Sequence, residues 1–299
     1  MRKKPVTKAV IAAAGFGTRF LPQTKASPKE MLPLVDKPVI QYVVEELVAV
    51  GVQDIIIVTG YTKRAIEDHF DRPSSELIAN LKQGGPSKEP MLKEVEKIAN
   101  LANFIYVRQK GPYGNATPLI NAAHLLDNEP FIFTWSDDFF RSKPLRFQQM
   151  IDAYKKYNCS VMSTIKISDP EDYKKYGVVG GKPLTKHITE ITEISEKPGI
   201  NRAPSDQASV SGFLLTPDSL KYFVLALKNL KEGKEFYAND ALKLMIEKGK
   251  RIIACEIRNG EYFDLGNKLS YLKATYSFAM RDESIASELK LFLKQQLKV

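Results

Sequence analysis

The sequence predicts the α/β class, with a mixed but mostly parallel central sheet flanked by helices. Three observations carry this reading. Short apolar runs alternate with amphipathic stretches through the first half of the chain, the order that joins parallel strands by helices. The first run breaks directly into a glycine turn, Ala14-Gly15-Phe16-Gly17-Thr18-Arg19. The fourth ends in adjacent carboxylates, Asp137 and Asp138, at the strand end where such a sheet meets its ligand. The arrangement is Rossmann-like, and 299 residues suffice to bury a substantial core.

Strands are expected at Lys8–Ala13, Asp54–Thr59, Phe104–Arg108 and Phe131–Trp135. Between the first two, Val39, Ile40, Val43, Val44, Leu47 and Val48 fall at helical spacing, and Gly51 closes that helix. Another helix begins near Thr117, a plausible cap, with Pro118 in the first turn. Gln83 to Lys88 reads as a loop between helices. After Met150 the texture changes, with strands expected at Ser160–Lys166, Gly177–Gly180, Ile191–Glu196 and Ser209–Leu215. In Ile188-Thr189-Glu190-Ile191-Thr192-Glu193-Ile194 the isoleucines recur every third residue, which fits neither helix nor strand cleanly. The β-branched content and the Lys197-Pro198 exit tip it towards strand. Helices Lys268–Met280 and Glu283–Lys298 finish the chain, the second with an apolar stripe at Ile285, Leu289, Phe292, Leu293 and Leu297. One domain is expected, with residues 1–265 as the core and 266–299 as a helical tail suited to self-association.

Composition narrows the function. Cys159 and Cys255 are the only two cysteines, too few for a disulfide framework and without metal-ligand spacing, so a reducing, cytoplasmic setting is expected. The apolar run after Met1-Arg2-Lys3-Lys4-Pro5 extends only from Ala9 to Ala14, too short for a signal core or a membrane span. The net charge of +9 suits nucleic acid or small acidic substrates. Scattered lysines and the absence of a zinc or RNA-binding motif argue against nucleic acid.

The glycine turn offers backbone N–H groups to an anion, and Arg19, Lys25 and Lys29 add fixed positive charge close by. No Gly-Lys-Ser/Thr ends it, and the third glycine of the dinucleotide fingerprint is missing. A nucleoside triphosphate is the ligand this combination suggests. The turn and the following Pro28-Lys29-Glu30-Met31-Leu32-Pro33 resemble the sugar-nucleotide pyrophosphorylases, whose signature runs Gly-x-Gly-Thr-Arg and then Pro-Lys-Glu-Met-Leu-Pro. Lys25 to Glu46 is similar almost residue for residue.

The resemblance implies the nucleotide-diphospho-sugar transferase fold and a reversible transfer: UTP and glucose 1-phosphate giving UDP-glucose and pyrophosphate. It implies Mg²⁺ on Asp137 and on Asp264, the latter in Phe263-Asp264-Leu265-Gly266-Asn267-Lys268. Arg19 and Lys29 would hold the triphosphate, and Lys197 the sugar phosphate. Ala13, Ala14, Gly15, Gly17, Thr18, Glu30, Gln109, Gly114 and Asp138 are the implied nucleotide contacts, with Gln109 reading the base edge. Gly177, Glu196, Lys197 and Gly212 would surround the sugar phosphate. The apolar stripe of the last helix suggests a homodimer or homotetramer.

The chain departs from the family pattern in three places. Tyr113-Gly114-Asn115-Ala116-Thr117-Pro118 replaces Leu-Gly-Leu-Gly-His-Ala, and Trp135 is bulkier than the usual residue. Val210-Ser211-Gly212-Phe213 looks more like the thymidylyltransferase branch. Two alternatives follow: the same chemistry on dTTP or another sugar 1-phosphate such as that of GlcNAc, and a non-catalytic subunit that binds a sugar nucleotide.

Overall fold

A computed structural model describes residues 4–297. Met1, Arg2 and Lys3, together with Lys298 of the expected last helix, lie outside the described residues, as does the side chain of Leu297. The strands are β1 (Lys8–Ala13), β2 (Pro33–Leu34), β3 (Lys37–Pro38), β4 (Asp54–Thr59), β5 (Asn103–Arg108), β6 (Phe131–Trp135) and β7 (Asp138–Ser142). They continue with β8 (Ser160–Lys166), β9 (Gly177–Thr185), β10 (Ile188–Glu196), β11 (Gln207–Leu215), β12 (Ile252–Glu256) and β13 (Gly260–Asp264).

Nine strands form one sheet in the order β5-β4-β1-β6-β11-β8-β12-β10-β9. β10 and β11 run against the others, so the sheet is mixed and mostly parallel, as expected. Its far end curls round until β9 bonds back to β11. The central strands are apolar on both faces, as a sheet covered by helices on both sides requires. In β4, Ile55 and Ile57 feed one core with Ile11, Val43 and Leu47, whereas Ile56 and Val58 feed the other with Val10, Phe131 and Phe133. Alternation along the strand sends successive side chains to opposite layers.

The helix Val39–Ala49 lays Val39, Ile40, Val43, Val44 and Leu47 on the first layer. The helix Thr117–Ala122 lies on the second. Thr117 is its first residue rather than its cap: the Thr117 hydroxyl donates to Pro112 O at 2.7 Å and so does not serve the helix N–H groups. The segment from Gln83 to Lys88 joins helices Ser75–Gln83 and Glu89–Ala99 through a short 3₁₀ turn. The isoleucine spacing in β10 has a structural cause. A register shift between Ile191 and Glu193 marks a bulge, which lets Ile191 and Ile194 both face the core despite an odd separation. Besides the two-residue strands β2 and β3, three strands go beyond the expected set: β7, β12 and β13. The final helix is described from Ala286 to Leu297; Phe292 on it and Ile285 just before it are exposed.

One buried ion pair joins the elements behind the site. Arg146, fully buried at the start of the helix Arg146–Tyr157, donates to Glu46 Oε2 at 2.8 Å and to Ser211 O at 2.9 Å. Its guanidinium stands 4.2 Å from the Phe147 ring centroid. Truncating one partner strands the other charge away from water, a loss of about 3–5 kcal/mol. Urea unfolding of Arg146→Met is therefore expected to show a loss of that order, and Glu46→Leu added to it should recover much of the stability. A loss below about 1 kcal/mol for the single variant would show that the pair does not hold these elements.

Candidate active site

The glycine turn follows β1 and folds over Lys29. Gly17 takes a left-handed conformation (φ +66°), and its carbonyl accepts the Thr24 hydroxyl at 2.8 Å. This turn, the end of β5 and the loop after it enclose a cavity of about 1000 Å³. Ala14, Gly15, Arg19, Lys29, Glu30, Gln109, Gly114 and Asp137 line it, with Phe16, Tyr61, Tyr113 and Tyr237 at its walls. A smaller lobe of about 420 Å³ adjoins it, lined by Gly177, Glu196, Lys197, Ser211, Asn239 and Asp264. Arg19, Asn115, Trp135, Asp137 and Tyr237 belong to both lobes. A separate cavity of about 830 Å³ lies among Tyr42, Phe139, Phe140 and Phe278 and contains none of the predicted site residues.

Asp137 lines both lobes and Asp264 the smaller one, and the backbone brings the two residues together. β7 pairs with β13 so that Asp264 stands opposite Asp138, and Leu265 N donates to Asp137 O at 3.0 Å. Each carboxylate is mostly buried and carries a lysine: Lys29 Nζ lies 2.5 Å from Asp137 Oδ2, and Lys175 Nζ lies 2.6 Å from Asp264 Oδ2. Burial works to lower the pKa of Lys29, but the Asp137 and Glu30 carboxylates outweigh it and hold the ammonium above its ordinary value. Burial pushes Asp264 up, while Lys175, the Gly266 N–H and the Tyr176 hydroxyl together draw it below the usual carboxylate range. A side chain at Gly266 would crowd two charged groups of the cleft. A Cβ would stand 3.0 Å from an Arg19 guanidinium nitrogen and 2.9 Å from Asp264 Oδ1.

No group of three or more His, Cys, Asp or Glu among the described residues could hold a metal on its own. Two carboxylates beside a phosphate-sized space nonetheless fit a hard divalent cation, which fills its remaining positions with water and phosphate oxygens.

In the larger lobe, Gln109 is fixed by its backbone N–H to Thr59 O at 2.9 Å, and no hydrogen bond to protein engages its amide among the described residues. Gly114 (φ +133°) leaves no room for a side chain, since a Cβ would fall 2.1 Å from Phe236 O. The altered loop is stitched to the segment before the helix Ala238–Glu247. Phe236 N donates to Tyr113 O at 2.8 Å, Ala116 N to Phe236 O at 3.1 Å, and Ala238 N to Asn115 Oδ1 at 2.8 Å. Trp135 packs edge-on against Phe213, with centroids 5.4 Å apart, and floors both lobes. In the smaller lobe, Glu196 Oε2 accepts Asn239 Nδ2 at 2.8 Å, and Lys197, at a positive φ of 45°, projects from the end of β10.

Several expected contacts sit differently. Ala13, Gly17 and Thr18 shape the turn without lining either lobe. The Glu30 carboxylate reaches the cavity floor but is fully buried, and Lys63 pairs with it at 2.6 Å. Gly212 (φ +112°) faces Ser163, Phe147 and Arg146 inside the protein, and its neighbour Ser211 lines the lobe instead. Asp138 does not reach the nucleotide lobe. Its carboxylate turns inward to accept the Tyr262 hydroxyl at 2.9 Å and Ser211 N at 3.3 Å. Sequence reasoning missed Asn239, Tyr237, Lys174 and Lys175, which no motif marked.

Burial raises the Asp138 pKa to about 7, with Asp137 adding to the shift and Arg146, Ser211 and Tyr262 opposing it. A carboxyl group raised in this way favours folding while protonated. Its contribution is full below the ordinary value near 4 and disappears as pH rises through about 7. With chelator present, the stability of Asp138→Asn relative to the parent should therefore increase from pH 5 to pH 8 in urea unfolding. A pH-independent difference would place the Asp138 pKa outside that window.

The nucleotidyl transferase family model matches residues 8–280. The UTP–glucose-1-phosphate uridylyltransferase YngB of Bacillus subtilis (strain 168) is 41% identical over 298 residues, covering 100% of this chain and 97% of that protein. Among solved structures, a UDP-glucose pyrophosphorylase complexed with UDP-glucose superposes with a TM-score of 0.81 at 37% identity, covering 93% of this chain and 100% of the other. A UTP-bound UGPase from Acinetobacter baumannii reaches a TM-score of 0.85 at 29% identity, over 97% of this chain and 99% of its own. Matched along nearly its whole length, the chain belongs to the nucleotidyl transferase family.

Proposed function

We propose that the protein is a UTP–glucose-1-phosphate uridylyltransferase, forming UDP-glucose and pyrophosphate. The observation that carries this reading is the junction of two lobes at Asp137 and Asp264, with a base-sized space on one side and a lysine-lined space on the other. The similarity to uridylyltransferases over the full chain supports the choice of substrates.

In this reading Gln109 presents the donor and acceptor that a uracil edge requires. Arg19 and Lys29 neutralise the triphosphate, and Lys197 receives the phosphate of glucose 1-phosphate, whose hydroxyls meet Glu196. The sugar phosphate oxygen attacks the α-phosphorus in line with departing pyrophosphate, and no side-chain nucleophile takes part. The chain contributes positioning and charge neutralisation in a partly enclosed cleft. Asp137 and Asp264 would hold a divalent cation, Mg²⁺ in this reading, which would supply screening of the charge on the reacting phosphates. Lys29 and Lys175 occupy the two carboxylates that would hold it.

No described helix is long and apolar enough to cross a membrane, and a cytoplasmic location with UTP and glucose 1-phosphate as partners suits the reading. Residues 1–265 form the catalytic part and 266–299 a helical tail. The exposed Ile285 and Phe292 favour its use in self-association.

Pyrophosphate release with UTP, glucose 1-phosphate and Mg²⁺ tests the proposal. Turnover should exceed that with dTTP and fall about a hundredfold or more in Asp137→Ala and in Asp264→Ala. Preference for dTTP would reassign the base, and no turnover with any nucleotide and sugar phosphate would favour a silent binding subunit. Lys197→Ala should raise KM for glucose 1-phosphate about tenfold or more while changing KM for UTP little. An unchanged KM for glucose 1-phosphate would remove Lys197 from the sugar phosphate site.

A further inference from the structure

Lys29 follows from its motif, but nothing in the sequence singles out Lys175, whose ammonium has a defined seat. Lys175 Nζ lies 2.6 Å from Asp264 Oδ2 and donates to the Tyr176 hydroxyl oxygen at 2.6 Å. The Tyr176 hydroxyl in turn donates to the same Asp264 Oδ2 at 3.0 Å, and the ammonium stands 4.5 Å from the Tyr176 ring centroid. The lysine side chain is 38% exposed against 19% for the aspartate. Lys175 therefore reaches in from solvent and can withdraw while the carboxylate stays fixed by Gly266 N–H at 2.8 Å.

The surroundings decide what draws it away. Lys174, Lys197 and Arg19 line the same lobe. A divalent cation arriving alone has to displace an ammonium and face these positive charges. A phosphate ester is drawn to the same charges and offers Lys175 new acceptors.

We propose that Lys175 is a positioning residue that occupies the cation's place on Asp264 in the empty enzyme and moves to a substrate phosphate when one arrives. The cation then enters with phosphorylated substrate instead of ahead of it. This rests on the reading of Asp137 and Asp264 as cation ligands. No bond is made or broken in the exchange, and the ammonium keeps its protons throughout.

The test is titration of the full chain with Mn²⁺ alone, without nucleotide, reading free ion by electron paramagnetic resonance at constant pH. Lys175→Met should bind Mn²⁺ about tenfold tighter than the parent, the factor carried by a competing charge-assisted hydrogen bond. Lys175→Arg, which keeps the charge, should behave like the parent. Lys174→Met removes a neighbouring charge that pairs with Glu171 instead, and should change the affinity less than twofold. Equal affinity of Lys175→Met and the parent overturns the proposal, as does a tenfold gain in Lys174→Met. Asp264→Asn in both backgrounds separates the two readings. If it leaves Mn²⁺ binding untouched, the ligand assignment fails and the proposal with it. If it weakens binding while Lys175→Met matches the parent, the placeholder role alone fails.

Discussion

The pairing of β7 with β13, sealed by the hydrogen bond from Leu265 N to Asp137 O, is the constraint on which the site depends. It sets side by side two aspartates from distant parts of the chain. It also turns the next residue, Asp138, into the interior, where Tyr262 of β13 and Ser211 of β11 receive it. Asp137 sits in the bend between β6 and β7, whereas Asp138 opens β7 directly opposite Asp264 and lines the smaller lobe with its carboxylate held by those two donors. Asp138 is then tied through Ser211 to Arg146, and through Arg146 to Glu46 on the helix Val39–Ala49. The strand that carries the reacting site is thereby anchored to two layers of the fold.

Charge balance around this pair accounts for much of the rest. The cleft gathers carboxylates that repel one another, and three of them are met by a lysine at contact distance: Asp137 by Lys29, Asp264 by Lys175, Glu30 by Lys63. The pairs differ in access. Lys63 and Glu30 are sealed off from solvent and serve as a fixed floor beneath the nucleotide lobe. Lys29 and Lys175 remain partly exposed at the lobe walls. Buried pairs of this kind contribute little net stability but are costly to break, so the floor is rigid where the walls can exchange partners.

Much of the fold was legible in the sequence because parallel strands buried on both faces write themselves as continuous apolar runs. Asp54–Thr59 and Ser160–Lys166 begin and end as expected. β7 was missed because two phenylalanines after an Asp-Asp pair read as a turn leaving a strand, and only the partner strand β13 makes them β. Gly17, Gly51 and Gly114 announced turns, but Gly212 did not show that its bare face looks into the core towards Phe147. The cation-site residues were legible only through resemblance, since no spacing rule joins Asp137 to Asp264. Lys175 and Asn239 lay beyond reach altogether. Their roles arise from β9, β10 and the helix Ala238–Glu247 converging on one lobe, and a lone lysine or asparagine in a polar stretch carries no trace of that.

The stitching of Tyr113–Ala116 to Phe236 and Ala238 has a consequence for how substrate range can change. The loop that borders the larger lobe and the segment that borders the smaller one share three hydrogen bonds, and Asn115 and Tyr237 stand in both walls. Base selection and sugar selection are therefore not separate modules that can drift one at a time. A substitution that reshapes one wall moves the other through the backbone. New donor–acceptor combinations in such a cleft have to arise as matched pairs of changes, one on each side of the stitch.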